Sequence, residues 1–163
     1  MIDEQGFGVL FAALSAARNN TCWRISRGRS SSLSLEFGRK ITRTPPKIGY
    51  NGETLTKGEY SLLVMSTWRL RKNSGIVLST WCNQTESAQR FTVLENLVLR
   101  DFVITSPTLD LTLQFENEWY LDIFCDIVDN DAEHYFYSTF TELFTVSNGP
   151  LITVESISNK YID

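Results

Sequence analysis

The residues best suited to chemistry in this chain are its single histidine and its three cysteines, namely His134, Cys22, Cys82 and Cys125. A catalytic thiol needs an imidazole within hydrogen-bond reach to act as its base. Cys125 and His134 stand apart in the sequence across a predicted loop, and no protease signature surrounds either of them. We therefore predict no catalytic residue, and we expect His134 to be an exposed loop histidine beside Tyr135.

The segment 122–133 is rich in acids: Asp122, Asp126, Asp129, Asp131 and Glu133. Carboxylate oxygens are the ligands that Ca²⁺ and Mg²⁺ prefer, so Asp126, Asp129 and Asp131 are the candidates for a metal site. The turn glycine and the distal glutamate of a calcium loop are absent, and we predict no bound metal. Asp122 and Asp126 are expected on the solvated side of one strand.

The sequence also predicts no cofactor. It contains no G-x-x-x-x-G-K-[ST] phosphate loop, and three scattered cysteines with one histidine cannot form a closed zinc site. An odd, sparse set of cysteines indicates a reducing, cytoplasmic location rather than a disulfide framework. No apolar run approaches the roughly 20 residues that cross a bilayer, so no membrane partner is expected.

Side chains suited to binding another protein occur on two predicted strands. Trp and Arg concentrate binding energy at interfaces, and Trp68, Arg69 and Arg71 stand together in the run Trp68-Arg69-Leu70-Arg71. Asp122 and Asp126 contribute negative charge on a second strand. We predict these five residues as partner-binding candidates.

Charge is divided unevenly along the 163 residues, whose net charge is −4. Residues 1–82 hold twelve of the fifteen Lys and Arg residues, whereas residues 83–163 hold fourteen of the nineteen acids. The simplest interpretation is that the two halves neutralise each other where they meet. A second is that an acidic surface attracts a basic partner, such as a toxin nuclease. A third is that the basic loop 38–58 contacts phosphates, although the acidic balance makes nucleic acid an unlikely partner.

The elements that position these residues follow from hydrophobic spacing. Residues 3–18 and 86–98 show helical spacing, and Leu33–Phe37 and Leu109–Phe115 alternate as half-buried strands. We further predict single strands over Tyr60–Leu70 and Trp119–Val128. Prolines and glycines interrupt 38–58, which predicts a long loop.

Two segments resemble each other, which suggests an internal duplication of halves 1–82 and 83–163. Leu33–Phe37 matches Leu111–Phe115, and Glu59–Met65 matches Glu118–Phe124. Trp23-Arg24-Ile25 similarly matches Phe102-Val103-Ile104. We predict one compact α+β domain over 1–163, built of antiparallel β-meanders with one helix packed per half.

The segments Leu109–Asn117 and Leu121–Asp126 and the residue Tyr135 form a pattern that Gly58-Glu59-Tyr60 and Trp68-Arg69-Leu70 fit more loosely. Through this pattern, residues 60–137 resemble a group of uncharacterised small bacterial proteins. Such proteins are similar in size and acidity to immunity proteins that neutralise toxins of rival bacteria. The resemblance implies the fold more than an activity; the immunity-like role follows by analogy, and no catalytic residue is carried over.

These observations lead to one expectation and one alternative. We expect a non-enzymatic, cytoplasmic bacterial protein that binds another protein, with a homodimer left open. The alternative is a small-molecule or divalent-metal-binding domain, or a small enzyme, that uses the acidic segment 122–133.

Overall fold

Alternating apolar and polar residues form most of the strands of this protein. In the strand Leu33–Arg43, for example, Leu33, Leu35 and Phe37 are buried on one side. The computed structural model describes residues 4–28, 30–43, 46, 48–50, 52–129, 131–157 and 161–162. Its strands are β1 (Cys22–Arg27), β2 (Leu33–Arg43), β3 (Thr56–Val64), β4 (Thr67–Lys72), β5 (Gly75–Ser79), β6 (Leu99–Thr105), β7 (Asp110–Phe115), β8 (Trp119–Phe124), β9 (Glu133–Ser138), β10 (Glu142–Ser147), β11 (Leu151–Ser156) and β12 (Tyr161–Ile162).

The described strands form two sheets whose neighbours are all antiparallel. Sheet 1 has the order β1-β2-β3-β9-β10-β11, with β12 also paired to β2, and sheet 2 has the order β5-β4-β8-β7-β6. Two helices, α1 (Glu4–Ala17) and α2 (Gln84–Arg90), precede β1 and β6. The predicted α+β class with antiparallel sheets is confirmed.

The apolar faces of the two sheets meet in one core. Phe37 of sheet 1 stacks on Phe115 of sheet 2, with ring centroids 6.2 Å apart. The phenol of Tyr135, in sheet 1, donates to the carbonyl of Leu109 beside sheet 2 at 3.1 Å. We call the opposite face of each sheet its outer face.

Helix α1 lies against the edge strands β6 and β11. Leu10, Leu14 and Ala17 are buried on it, as their helical spacing requires. The Tyr137 hydroxyl donates to the Ala13 carbonyl at 3.0 Å, which ties the helix to sheet 1. The predicted helix over 3–18 is therefore confirmed from Glu4 to Ala17.

The prediction of one strand over Tyr60–Leu70 is wrong, because the chain changes sheets within it. Strand β3 ends in sheet 1 at Val64, and β4 begins in sheet 2 at Thr67. The amides of Met65 and Ser66 both donate to the carbonyl of His134, at 2.9 and 3.1 Å. Apolar and polar residues alternate in the strands on both sides of this turn, so the periodicity of the sequence alone does not reveal the turn.

Three further boundaries differ from the sequence predictions. Strand β8 ends at Phe124 rather than at Val128, and α2 gives way to a 3₁₀ turn at Phe91–Leu94. The loop predicted over 38–58 is shorter, because β2 continues to Arg43 and β3 starts at Thr56. Gly38 allows this continuation at φ +73°. Residues 44, 45, 47 and 51 of that segment lie outside the described residues.

The two halves follow the same order of elements. In each half, a helix is followed by a three-stranded meander, β1-β2-β3 or β6-β7-β8. The strands that follow each meander belong to the other sheet. Both meanders have a register shift in their first strand, after Cys22 and after Leu99. Pairing sets Ile25 opposite Leu35 and Phe102 opposite Leu113, so the predicted match of Ile25 with Ile104 is two residues out of register. Duplication itself stays a prediction.

Candidate binding sites

Two arginines and a carboxylate meet on the outer face of sheet 2. Strand β4 carries Arg69 and Arg71 on this face, and its register with β8 sets Arg69 opposite Asp122. The Nε atoms of Arg69 and Arg71 both donate to Oδ2 of Asp122, at 2.8 and 2.9 Å. The Thr112 hydroxyl donates to the other carboxylate oxygen at 2.9 Å. We call these four residues the arginine cluster.

Aromatic rings fix the two guanidinium groups of the arginine cluster. Cζ of Arg69 lies 4.9 Å from the ring centroid of Phe124, and Cζ of Arg71 lies 4.1 Å from that of Tyr120. A guanidinium held over an aromatic face gains a cation–π attraction. Burial by itself would raise the pKa of Asp122, but the hydrogen bonds from Arg71, Arg69 and Thr112 outweigh that effect and lower it.

Three of the five predicted partner-binding residues, Arg69, Arg71 and Asp122, meet in the arginine cluster, and the other two lie elsewhere. Trp68 is fully buried, and its indole NH donates to the carbonyl of Ser31 at 2.7 Å. Its selection as a contact residue is wrong, because strand alternation turns it to the core. Asp122 is only 5% exposed. The prediction that it shares a solvated strand side with Asp126 is also wrong, because Asp126 lies beyond the end of β8.

A cavity of about 280 Å³ opens beside the arginine cluster. The polar residues that line it are Arg71, Thr112, Gln114 and Tyr120. Phe102 and Val103 provide its apolar lining. The cavity thus presents hydrogen-bond donors beside an apolar surface, a combination typical of small-molecule sites.

The connection from β8 to β9, together with the first residue of β9, carries the second charged region. Asp126, Asp129, Asp131 and Glu133 are all exposed there, and we call these four residues the acidic crossover. Within the described part of the chain, none of the four forms an ion pair. No Lys or Arg occurs between Arg100 and Lys160 in the sequence. Their negative charge is therefore left for solvent or for a partner.

His134 is buried beside the acidic crossover, and the prediction that it is exposed in a loop is wrong. It lies on β9 and is only 2% exposed. It lines a cavity of about 260 Å³ together with Cys125, Asn148 and Pro107. Burial lowers the pKa of His134, while Asp126 and Asp110 oppose that shift. Its Nδ1 atom has no hydrogen-bond partner among the described residues.

The shared cavity does not make Cys125 and His134 a nucleophile and its base. Burial, with Asp110 and Asp126 nearby, raises the pKa of the Cys125 thiol to about 12. The thiol also donates to the carbonyl of Leu109 at 3.4 Å. Because a reactive cysteine needs thiolate character, this thiol is suited to packing rather than to attack.

The acidic segment gives no support to a divalent metal site. Across the ranges that the structure describes, no three His, Cys, Asp or Glu side chains group closely enough to hold one metal ion. Asp122 is already neutralised by Arg69 and Arg71. Asp126, Asp129 and Asp131 are separate exposed carboxylates, and Asn130 lies outside the described residues.

The outer face of sheet 1 carries a polar row that sequence reasoning missed. Glu36, only 6% exposed, accepts hydrogen bonds from the amide of Gly58, the hydroxyl of Ser61 and the guanidinium of Arg24. Lys57 donates to the hydroxyl of Ser138 at 3.2 Å. Only the register across four strands brings these residues together, and no spacing in the sequence shows it.

Together, the sheets and the charged faces define an antiparallel two-sheet α+β protein with an arginine-rich outer face and an acidic crossover. Comparison of the chain with models of protein families, with curated proteins and with solved structures finds no match. The resemblance to small bacterial proteins therefore stays a prediction. Among the described helices, none is both long and apolar enough to cross a membrane.

Proposed function

We propose that this protein is a non-enzymatic protein-binding protein whose acidic crossover docks onto a basic surface of another protein. The observation that carries the proposal is the exposure of Asp126, Asp129, Asp131 and Glu133 without described cationic partners. Charges of one sign that are not neutralised internally raise the rate of encounter with an oppositely charged surface. The crossover is held at one end by β8 of sheet 2 and at the other by β9 of sheet 1.

The role that fits this surface is immunity-like neutralisation of a basic toxin of bacterial origin. A nuclease toxin must bind phosphates and therefore carries a basic active-site surface. An acidic protein that covers such a surface inhibits the toxin without catalysing a reaction. The absence of an activated nucleophile at Cys125 is compatible with this role.

The charge of the acidic crossover can be removed without changing its size. The test variant is Asp126→Asn, Asp129→Asn, Asp131→Asn and Glu133→Gln in one chain. The matched control neutralises four other exposed acids, through Glu4→Gln, Glu53→Gln, Glu118→Gln and Glu155→Gln. A fluorescent lysine-rich peptide serves as the probe, and anisotropy measures its affinity.

The crossover variant is expected to bind the peptide about tenfold more weakly, since rim charge pairs contribute roughly 0.2–1 kcal/mol each. The control variant is expected to retain most of the wild-type affinity. Equal losses in both variants would show that only net charge matters, and the crossover would then not be the docking site. The immunity role is tested separately by co-expression with a basic toxin nuclease, where the crossover variant is expected to lose protection.

A further inference from the structure

We infer that the cavity beside the arginine cluster binds a small molecule through its oxyanion, either a carboxylate or a phosphate. This site is separate from the acidic crossover and does not depend on the proposed docking function. It is built from Arg71, Gln114 and Tyr120, with Phe102 and Val103 forming the apolar wall.

The first argument is charge. The arginine cluster contains two guanidinium groups and one carboxylate, so it keeps one unit of positive charge after Asp122 is paired. No carboxylate lines the cavity in the described part of the chain. Asp101, which faces Gln114 across the β6–β7 pair, is itself bonded to Arg18 at 2.9 Å. An anion entering the cavity therefore meets a field of the right sign.

The second argument is preorganisation. Arg71 is held by Asp122 through Nε at 2.9 Å and through Nη2 at 3.4 Å, by the carbonyl of Asn73 through Nη1 at 2.9 Å, and by the ring of Tyr120. Its side chain is only 25% exposed. A guanidinium that is already fixed loses little rotamer entropy when it binds, and each of its two Nη atoms keeps one N–H that can donate to an oxyanion.

The third argument is the set of free donors around the cavity. The side chains of Gln114 and Tyr120 form no hydrogen bond among the described residues, and both residues line the cavity. Gln114 is exposed, so it has no role in holding the core. Arg71, Gln114 and Tyr120 together offer donors to one oxyanion, while Val103 and Phe102 can cover an attached apolar group.

The experiment measures binding of two probes, inorganic phosphate and benzoate, to the full chain by isothermal titration calorimetry. The two probes separate a compact tetrahedral anion from a carboxylate on an apolar body. The test variants are Arg71→Gln and Gln114→Leu, and the matched control is Arg100→Gln, an exposed arginine that is paired with Glu116 outside the cavity. Thermal melting of each variant establishes that it is folded.

The wild type is expected to bind at least one probe. Arg71→Gln is expected to weaken that binding about tenfold or more, because it removes a charge-assisted hydrogen bond. Gln114→Leu is expected to weaken it about threefold, and Arg100→Gln to leave it unchanged. Gln114→Leu keeps the test valid if Arg71→Gln fails to fold, because the Gln114 side chain is exposed and forms no described hydrogen bond. Binding of neither probe, or unchanged affinity in Gln114→Leu, overturns the inference.

Discussion

Burial determines what the charged residues of the two candidate sites can do. Asp122 and Asp126 belong to the same acidic segment, yet Asp122 is covered by two arginines while Asp126 is exposed. A carboxylate that is taken from water needs partners, and Asp122 has three side chains that donate to it. Asp122 is therefore a structural acid, and Asp126 remains free to meet a partner.

Replacing Asp122 tests this distinction. We expect Asp122→Ala to lower the free energy of unfolding by about 1–3 kcal/mol, because it leaves Arg69 and Arg71 adjacent and uncompensated. The exposed control Asp126→Ala is expected to change it by less than about 0.5 kcal/mol. Urea denaturation at neutral pH measures both. Equally small losses of unfolding free energy in both variants would mean that solvent compensates the charges of Arg69 and Arg71 as well as Asp122 does.

The acid-side stability of the protein is expected to depend on His134. Burial lowers its pKa in the folded state below the ordinary value of 6.5, so the unfolded chain binds a proton more readily. The contribution of His134 to the free energy of unfolding is therefore fully present above its pKa in the unfolded chain. It is lost as pH falls toward its lower pKa in the folded protein. His134 is the only histidine in the chain, so few other groups titrate in this window.

The measurement compares urea midpoints at mildly alkaline and mildly acidic pH for the wild type and for His134→Gln. The urea midpoint of the wild type is expected to fall on acidification. This fall corresponds to a loss of up to about 1.4 kcal/mol in the free energy of unfolding per pH unit. The midpoint of His134→Gln is expected to stay nearly constant. A parallel fall in both proteins would assign the pH dependence to the carboxylates.

At the scale of single elements, close backbone approach decides where strands can pair. Gly58 lies opposite Lys40, next to a register shift in the β2–β3 pair. A Cβ placed on Gly58 would lie 2.7 Å from the carbonyl oxygens of Phe37 and Tyr60. These contacts involve backbone atoms, so they cannot be relieved by turning a side chain.

Two glycine substitutions should therefore have opposite effects. Gly58→Ala is expected to destabilise the protein by about 1–3 kcal/mol through overpacking. Gly8→Ala, in the middle of α1 with nothing within 4 Å of its Cβ position, is expected to stabilise it by roughly 0.5–1 kcal/mol. Thermal melting of both variants checks the signs, and a stable Gly58→Ala variant would contradict the described pairing of β2 with β3.

Helices and strands are predicted correctly from the sequence where the apolar residues follow a single clear helical or strand periodicity. The alternation in Leu33–Phe37 and Leu109–Phe115 and the helical spacing of Leu10 and Leu14 were enough to identify β2, β7 and α1. Prediction fails at Met65 and Ser66, because a strand that crosses between sheets keeps its alternation. It also fails at His134, since a polar residue surrounded by loop signals gives no sign that residues distant in the sequence will cover it.

At the scale of the whole molecule, the two halves of the sequence are interleaved. Strand β3 of the first half pairs with β9 of the second, and β4 of the first half pairs with β8. The ion pairs of Arg18 with Asp101 and of Arg69 with Asp122 also join the halves. The uneven charge along the chain is thus partly neutralised between them, as the simplest interpretation of the sequence predicted.

Interleaving predicts that neither half folds alone. The fragments 1–82 and 83–163 would each lose the partners of their central strands and leave apolar edges unpaired. We expect neither fragment to show a cooperative urea transition by circular dichroism, whereas the full chain unfolds in one transition. A sigmoidal transition in either fragment would indicate independent domains.

The sequence alone was sufficient to predict the antiparallel α+β class, helix α1 and the strands with clear alternation, because these depend on local periodicity. It also showed the uneven distribution of charge. Only the tertiary structure decided that Asp122 is neutralised by Arg69 and Arg71, and that Trp68 and His134 are buried. The physical reason is that burial and pairing depend on strand register across distant segments, and the spacing of residues along one segment carries no information about it.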